Sequence, residues 1–133
     1  MHCDQQQLQV RDARLRLPAE PGSLRSARDR LRAWLEGLGV RERVVADVVL
    51  AVNEACANAI EHPVERRKPW IDLLARHGQG RIEVEIADSG RWREGRPGAG
   101  RGRGLLLMRS FVDDVTVETA SGGTTVRLGR RVD

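Results

Sequence analysis

Residues 44–62 read VVADVVLAVNEACANAIEH, an apolar, small-residue helix that nevertheless carries Asp47, Asn53, Glu54, Asn58, Glu61 and His62. At about 100° per residue, Glu54, Asn58, Glu61 and His62 fall within about 60° of Asp47, and only Asn53 leaves that face. The stripe is narrow, has no lysine or arginine after Arg43, and is flanked by Ala51, Ala55, Ala57 and Ala59. A carboxylate and an amide one turn apart on a helix built for burial cost free energy unless a partner, water or a ligand meets them. A stripe facing bulk solvent is the plainer alternative. The narrowness and the small flanking residues favour a polar cavity beside the helix. There, Glu54 suits orienting or deprotonating a hydroxyl, and Asn58 is an uncharged oxygen ligand for a magnesium ion already held by phosphates. Cys56 falls on the opposite side of the helix and belongs to the core.

Outward from this helix, expected over Arg41–Glu61 and stopped before Pro63, the chain alternates in periodicity. Gln7–Leu17 reads as an edge strand closed by Pro18, Pro21 and Gly22. Ser23 fits an N-cap for a first helix over 24–38, spaced by Leu24, Ala27, Leu31, Trp34, Leu35 and Leu38. Trp70–Arg76 and Arg81–Ala87 are strands joined by HGQG, Leu105–Phe111 is a short helix, and Val115–Thr119 and Thr124–Leu128 are two last strands. Polar Arg81, Glu83 and Glu85 alternate with Ile82, Val84 and Ile86, the pattern of a sheet covered on one side. The order predicts one α+β domain over residues 1–133, a two-layer α/β sandwich with a mixed, mostly antiparallel sheet and helices on one face.

Composition agrees. A chain of 133 residues has room for one ordinary domain, and 40% hydrophobic with 32% charged residues supports a folded core. No run approaches the roughly 18 apolar residues of a membrane helix, and MHCDQQQLQV lacks an apolar leader, so a cytoplasmic protein without membrane attachment is expected. Net charge is +4, with Lys68 the only lysine among 23 basic residues, and arginine is spread through every segment rather than clustered. Phe111, Trp34, Trp70 and Trp92 are the only aromatics available to stack on bases, so a nucleic-acid surface is weakly supported. Cys3 and Cys56 form neither a disulfide framework nor a zinc motif.

Two further segments carry chemistry. The strand ending at Ala87 is followed by Asp88, Ser89 and Gly90, which is either an ordinary Asp-Ser-Gly turn or a carboxylate placed to accept from a ligand amine such as the adenine 6-amino group. Gly98, Gly100, Gly102 and Gly104 then alternate before Leu105, so that backbone amides can approach phosphates at a helix start, with Arg101 and Arg103 adding charge. A flexible surface loop explains the glycines as well. No GxxxxGK[ST] and no dinucleotide fingerprint after the first strand is present. Alternation puts Thr124, in GGTTV, on the helix-covered face with Val126 and Leu128, where it is either an ordinary strand-start threonine, the commoner case, or a hydroxyl that bonds the adenine region.

ExxxN (Glu54, Asn58), DSG (Asp88–Gly90), GRGLLLM (Gly102–Met108) and GGTTV (Gly122–Val126) resemble, in order, the boxes of the GHKL ATPase superfamily. EACANAIEH, GRGLLLMRSFVDDV and GGTTVRL look most like the bacterial anti-sigma factor serine kinases, over almost the whole chain. The resemblance implies a Bergerat-type sandwich binding ATP and Mg2+, in which Asn58 holds the metal, Glu54 is the catalytic base and Asp88 recognises adenine. It further implies that Gly90 shapes the adenine pocket, that Gly102 and Gly104 meet the phosphates, and that Arg101 or Arg103 neutralises the transferred phosphoryl group. Leu105 and Thr124 complete the nucleotide-binding set. The implied partners are a sigma factor, a STAS-domain anti-sigma factor antagonist phosphorylated on serine, and a second copy of the chain in a homodimer, with no direct nucleic acid. Trp92 stands where the family's DxGxG has its second glycine, and the lid is short and arginine-rich. The alternative is a partner-binding module of the same fold with little or no kinase activity, either free or part of a larger phosphatase or sensor protein.

Overall fold

The structure, a computed structural model, describes residues 11–61, 68–90, 101–120 and 122–132. Its elements are β1 (Arg11–Pro18), α1 (Ser23–Leu38), α2 (Glu42–Glu61), β2 (Trp70–Gly78), β3 (Arg81–Asp88), α3 (Arg101–Phe111), β4 (Asp114–Ala120) and β5 (Gly123–Arg131). The five strands form one sheet in the order β1-β2-β3-β5-β4. Residues directly opposite in an antiparallel ladder share a face, and the register sets Leu73 against Ile86, Ile86 against Val126, and Val84 against Leu128. Those side chains, with Leu17, Ile71, Ala75 and Ile82, are buried beneath the helices. From α2 come Val44, Val45, Val48, Val52, Ala55, Cys56 and Ala59, from α1 Ala27, Leu31 and Leu35, and from α3 Met108. Trp34 and Phe111 pack against this core, as their spacing predicts.

The other face of the sheet is solvated and charged. Arg16 Nε lies 2.7 Å from Asp72, Arg81 pairs with Asp114 at 2.6 Å, and Arg127 bridges Glu85 and Glu118. Helices on one face only is therefore what the Arg81–Ala87 alternation called for. Among the described residues no helix is long and apolar enough to cross a membrane.

Three local expectations change, and one reaches beyond the described residues. The described part of the first strand begins at Arg11, and residues 7–10 lie outside the described residues. Ser23 is not the cap: Gly22 holds that position without a side-chain bond, and Ser23 is the first helical residue. The Pro21–Gly22 turn supplies the first acceptors instead, since Ser23 N–H bonds to Glu20 O at 2.9 Å and Leu24 N–H to Pro21 O at 3.1 Å. The sheet is antiparallel at every described pairing rather than mixed. Since β5 is antiparallel to both β3 and β4, these two run the same way, joined through α3 as in a crossover. Insertion of β5 between them converts one parallel pair into two antiparallel ones. Finally, α3 starts at Arg101, four residues before the predicted Leu105, so Gly102 and Gly104 belong to its first turns.

Candidate functional site

The polar stripe of α2 divides along its length. Asp47 Oδ2 accepts from Arg130 Nη2 of β5 at 2.8 Å, both side chains being largely buried. Arg130 is opposite Ile82 in the ladder, so the helix-covered face presents it to α2. Asn53, the residue off the stripe, accepts from Arg28 Nη1 of α1 at 2.9 Å. These two polar groups tie α2 to its neighbours.

Two turns on from Asp47, the surroundings differ. Gly104 of α3 packs so closely that a Cβ built there would lie 2.9 Å from Asn58 Nδ2 and 2.9 Å from Glu54 Oε2. A side chain on residue 104 would require Asn58 and Glu54 to shift, and a glycine inside a helix otherwise costs about 1 kcal/mol relative to alanine. Asn58 is 4% exposed. Its Nδ2 is the only buried side-chain nitrogen or oxygen without a hydrogen-bond partner among the described residues. An unmet buried amide donor costs about 1–3 kcal/mol. Glu54 is half-buried beside it. Cys56, on the far side of α2, is fully buried, and burial pushes its thiol up to about 12.

The second cluster closes the end of β3. Asp88 is opposite both Ile71 and Thr124 in register, which places it on the helix-covered face beside Thr124. Its Oδ1 accepts from Gly90 N–H at 2.5 Å, an Asx-type turn that orients the carboxylate. The Thr124 hydroxyl, 1% exposed, donates to Gly90 C=O at 3.0 Å. Asp88, Gly90 and Thr124 are thus brought together as one unit. Gly123 is the residue the sequence reading left without a role here. At φ +139, its missing Cβ would fall 2.0 Å from Asp88 O, so β5 can reach the end of β3 only with glycine there. The doubled glycine in GGTTV was the available signal.

Leu105 follows Gly104 in α3, is half-buried and packs on the core. The side chains of Arg101 and Arg103, and the surroundings of Gly102, lie outside the described residues, as do His62, Trp92, Gly98 and Gly100.

Comparison with known proteins gives a consistent result. The serine-protein kinase RsbW of Bacillus velezensis is 28% identical, over 90% of this chain and 88% of that protein. The anti-sigma F factor of Thermoanaerobacter sp. is 30% identical, over 66% of this chain and 71% of that protein. The crystal structure of the RsbU and RsbW domains of Rv1364c from Mycobacterium tuberculosis superposes with a TM-score of 0.77 at 26% identity, covering 92% of this chain. The matched region spans 32% of that larger chain. The family model described as "Histidine kinase-like ATPase domain" matches residues 17–130. That match runs from the last turn of β1 into the end of β5, taking in every helix and both polar clusters, and the chain belongs to the histidine kinase-like ATPase domain family.

Proposed function

We propose that this protein is an ATP-binding anti-sigma factor that sequesters a sigma factor and transfers a phosphoryl group to a serine of a STAS-domain antagonist, working as a homodimer. The observation that carries the reading is the unpartnered Asn58 amide beside Glu54 under Gly104. A buried amide with an unmet donor, next to a carboxylate and roofed by a helix start lacking a side chain, fits a phosphate chain with its metal. A magnesium ion held there would neutralise phosphate charge and polarise the transferred phosphoryl group. Asn58 Oδ1 is the ligand this chain would offer it, and Nδ2 would donate to a phosphate oxygen. Among the described residues there is no group of three or more His, Cys, Asp or Glu side chains that could hold a metal ion.

Each remaining group has a task. Glu54 takes the proton from the attacking serine hydroxyl. Main-chain amides at Gly102 and Gly104 face the phosphates at the positive end of α3, with Leu105 seating that helix on the core, and Arg101 or Arg103 stabilises charge on the transferred group. Asp88 accepts from the adenine 6-amino group. Gly90 and Thr124, which bond to each other, set the wall of the adenine pocket.

Calorimetric titration of ATP, with and without magnesium, into the wild type and Asp88→Asn tests the pocket. Magnesium-dependent binding that collapses in the variant is expected. No binding to the folded wild type overturns the reading. Labelled ATP with a cognate STAS protein then tests transfer, and absence of transfer despite binding overturns the kinase step alone.

A further inference from the structure

The ladder between β2 and β3 ends at the pair Ile71 and Asp88. Beyond it Pro69 turns its carbonyl to the β1 side, where it accepts from Ala19 N–H at 2.9 Å. Ser89 meets the residue before Pro69, Lys68, through its side chain. Its Oγ accepts from Lys68 N–H at 2.7 Å and donates to Lys68 C=O at 3.3 Å, so one hydroxyl engages both main-chain groups of the same residue. The residue is 9% exposed. The two residues that follow Asp88 are thereby fixed: Ser89 is tied to the segment entering β2, and Gly90 is tied to Thr124 of β5.

We infer that Ser89 is a positioning residue for the Asp88 carboxylate, acting through its clasp on the Lys68 main chain to hold the turn that reads the nucleotide base. The inference rests on the proposed ATP site. Lys68 is an exposed residue and its bonds to Ser89 are only part-buried, so the Ser89 variants are expected to keep the sheet, with water meeting the freed main-chain groups. What is lost is the fixed direction of Asp88. Ser89 never touches the ligand, and its effect is confined to ligands that use the Asp88 contact.

The test compares ATP with purine riboside triphosphate, which is ATP without the 6-amino group, by magnesium-containing calorimetric titration into wild type, Ser89→Ala and Ser89→Cys. Cysteine keeps nearly the volume of serine but is a weak donor and acceptor, and serves if the alanine variant melts abnormally. Ser89→Ala is expected to raise the ATP Kd about tenfold, the size of one hydrogen bond's worth of orientation, and to change the Kd of the des-amino analogue less than about twofold. Equal weakening of both ligands shows a merely structural serine and overturns the inference, as does unchanged ATP binding. A wild type that binds the two ligands equally overturns the role of Asp88 itself, and with it the reading on which the inference stands.

Discussion

At its N-terminal end α2 brings Asp47 to 2.8 Å from Arg130, while two turns later the same face brings Glu54 and Asn58 beneath Gly104, where Asn58 Nδ2 meets no partner. Both ends are polar, largely buried and on one stripe. The first is a closed pair that fastens α2 to β5. The second keeps an unmet donor in a place the fold has cleared of side chains. A polar residue on a buried helix face is therefore not a site by itself, because the chain's own partners can satisfy it. The residue left unsatisfied by everything packed around it is the one that points to a ligand.

This contrast predicts effects of different kind and size at the two ends. The largest is Glu54→Gln, expected to slow phosphoryl transfer to a STAS acceptor at least about a hundredfold, the usual worth of a general base, while ATP titrates as for wild type. Transfer at an undiminished rate would sink the base assignment. At the closed end, Asp47→Asn is expected to lower stability by about 1.5 kcal/mol in urea denaturation, since Arg130 loses a charged hydrogen-bond partner in a largely buried setting. ATP affinity should not move; a parallel loss of affinity would erase the distinction between the two ends.

Gly104→Ala sharpens it from the other side. In an exposed helix the change would add about 1 kcal/mol of stability. Here the methyl meets Asn58 and Glu54 at 2.9 Å, and overpacking turns the gain into a net loss of about 1 kcal/mol. ATP affinity should fall with it. A variant that melts higher and binds ATP normally would mean that α3 is free to move away from α2. The smallest effect is at the solvated face, where Asp72→Asn breaks an exposed pair with Arg16 and should change stability by about 0.5 kcal/mol or less.

Much of this was legible in advance for local reasons. Helical spacing placed α2 within one residue of its observed start, because a twenty-residue apolar periodicity leaves little room for another phase. Alternation in β3 gave the covered and solvated faces directly, since strand side chains point by turns to opposite sides. The start of α3 was misread for a physical reason as well. Glycines every second residue look like loop, and the close packing of Gly104 against Glu54 and Asn58 comes from residues more than forty positions earlier. Ser23 was misassigned because the main chain of the preceding turn took the role its hydroxyl was expected to fill.

By itself the sequence determined the element order, the faces of β3 and β5, the burial of Cys56 and the ordered boxes that mark the family, all of which follow from periodicity and short-range spacing. Only the tertiary structure decided that Asp47 is consumed by Arg130, that Asn58 is left with an unmet donor, that Gly123 must lack a side chain beside Asp88 O, and that Ser89 clasps Lys68. Those facts depend on which groups from distant segments arrive within hydrogen-bond or van der Waals reach, and no local periodicity encodes that distance.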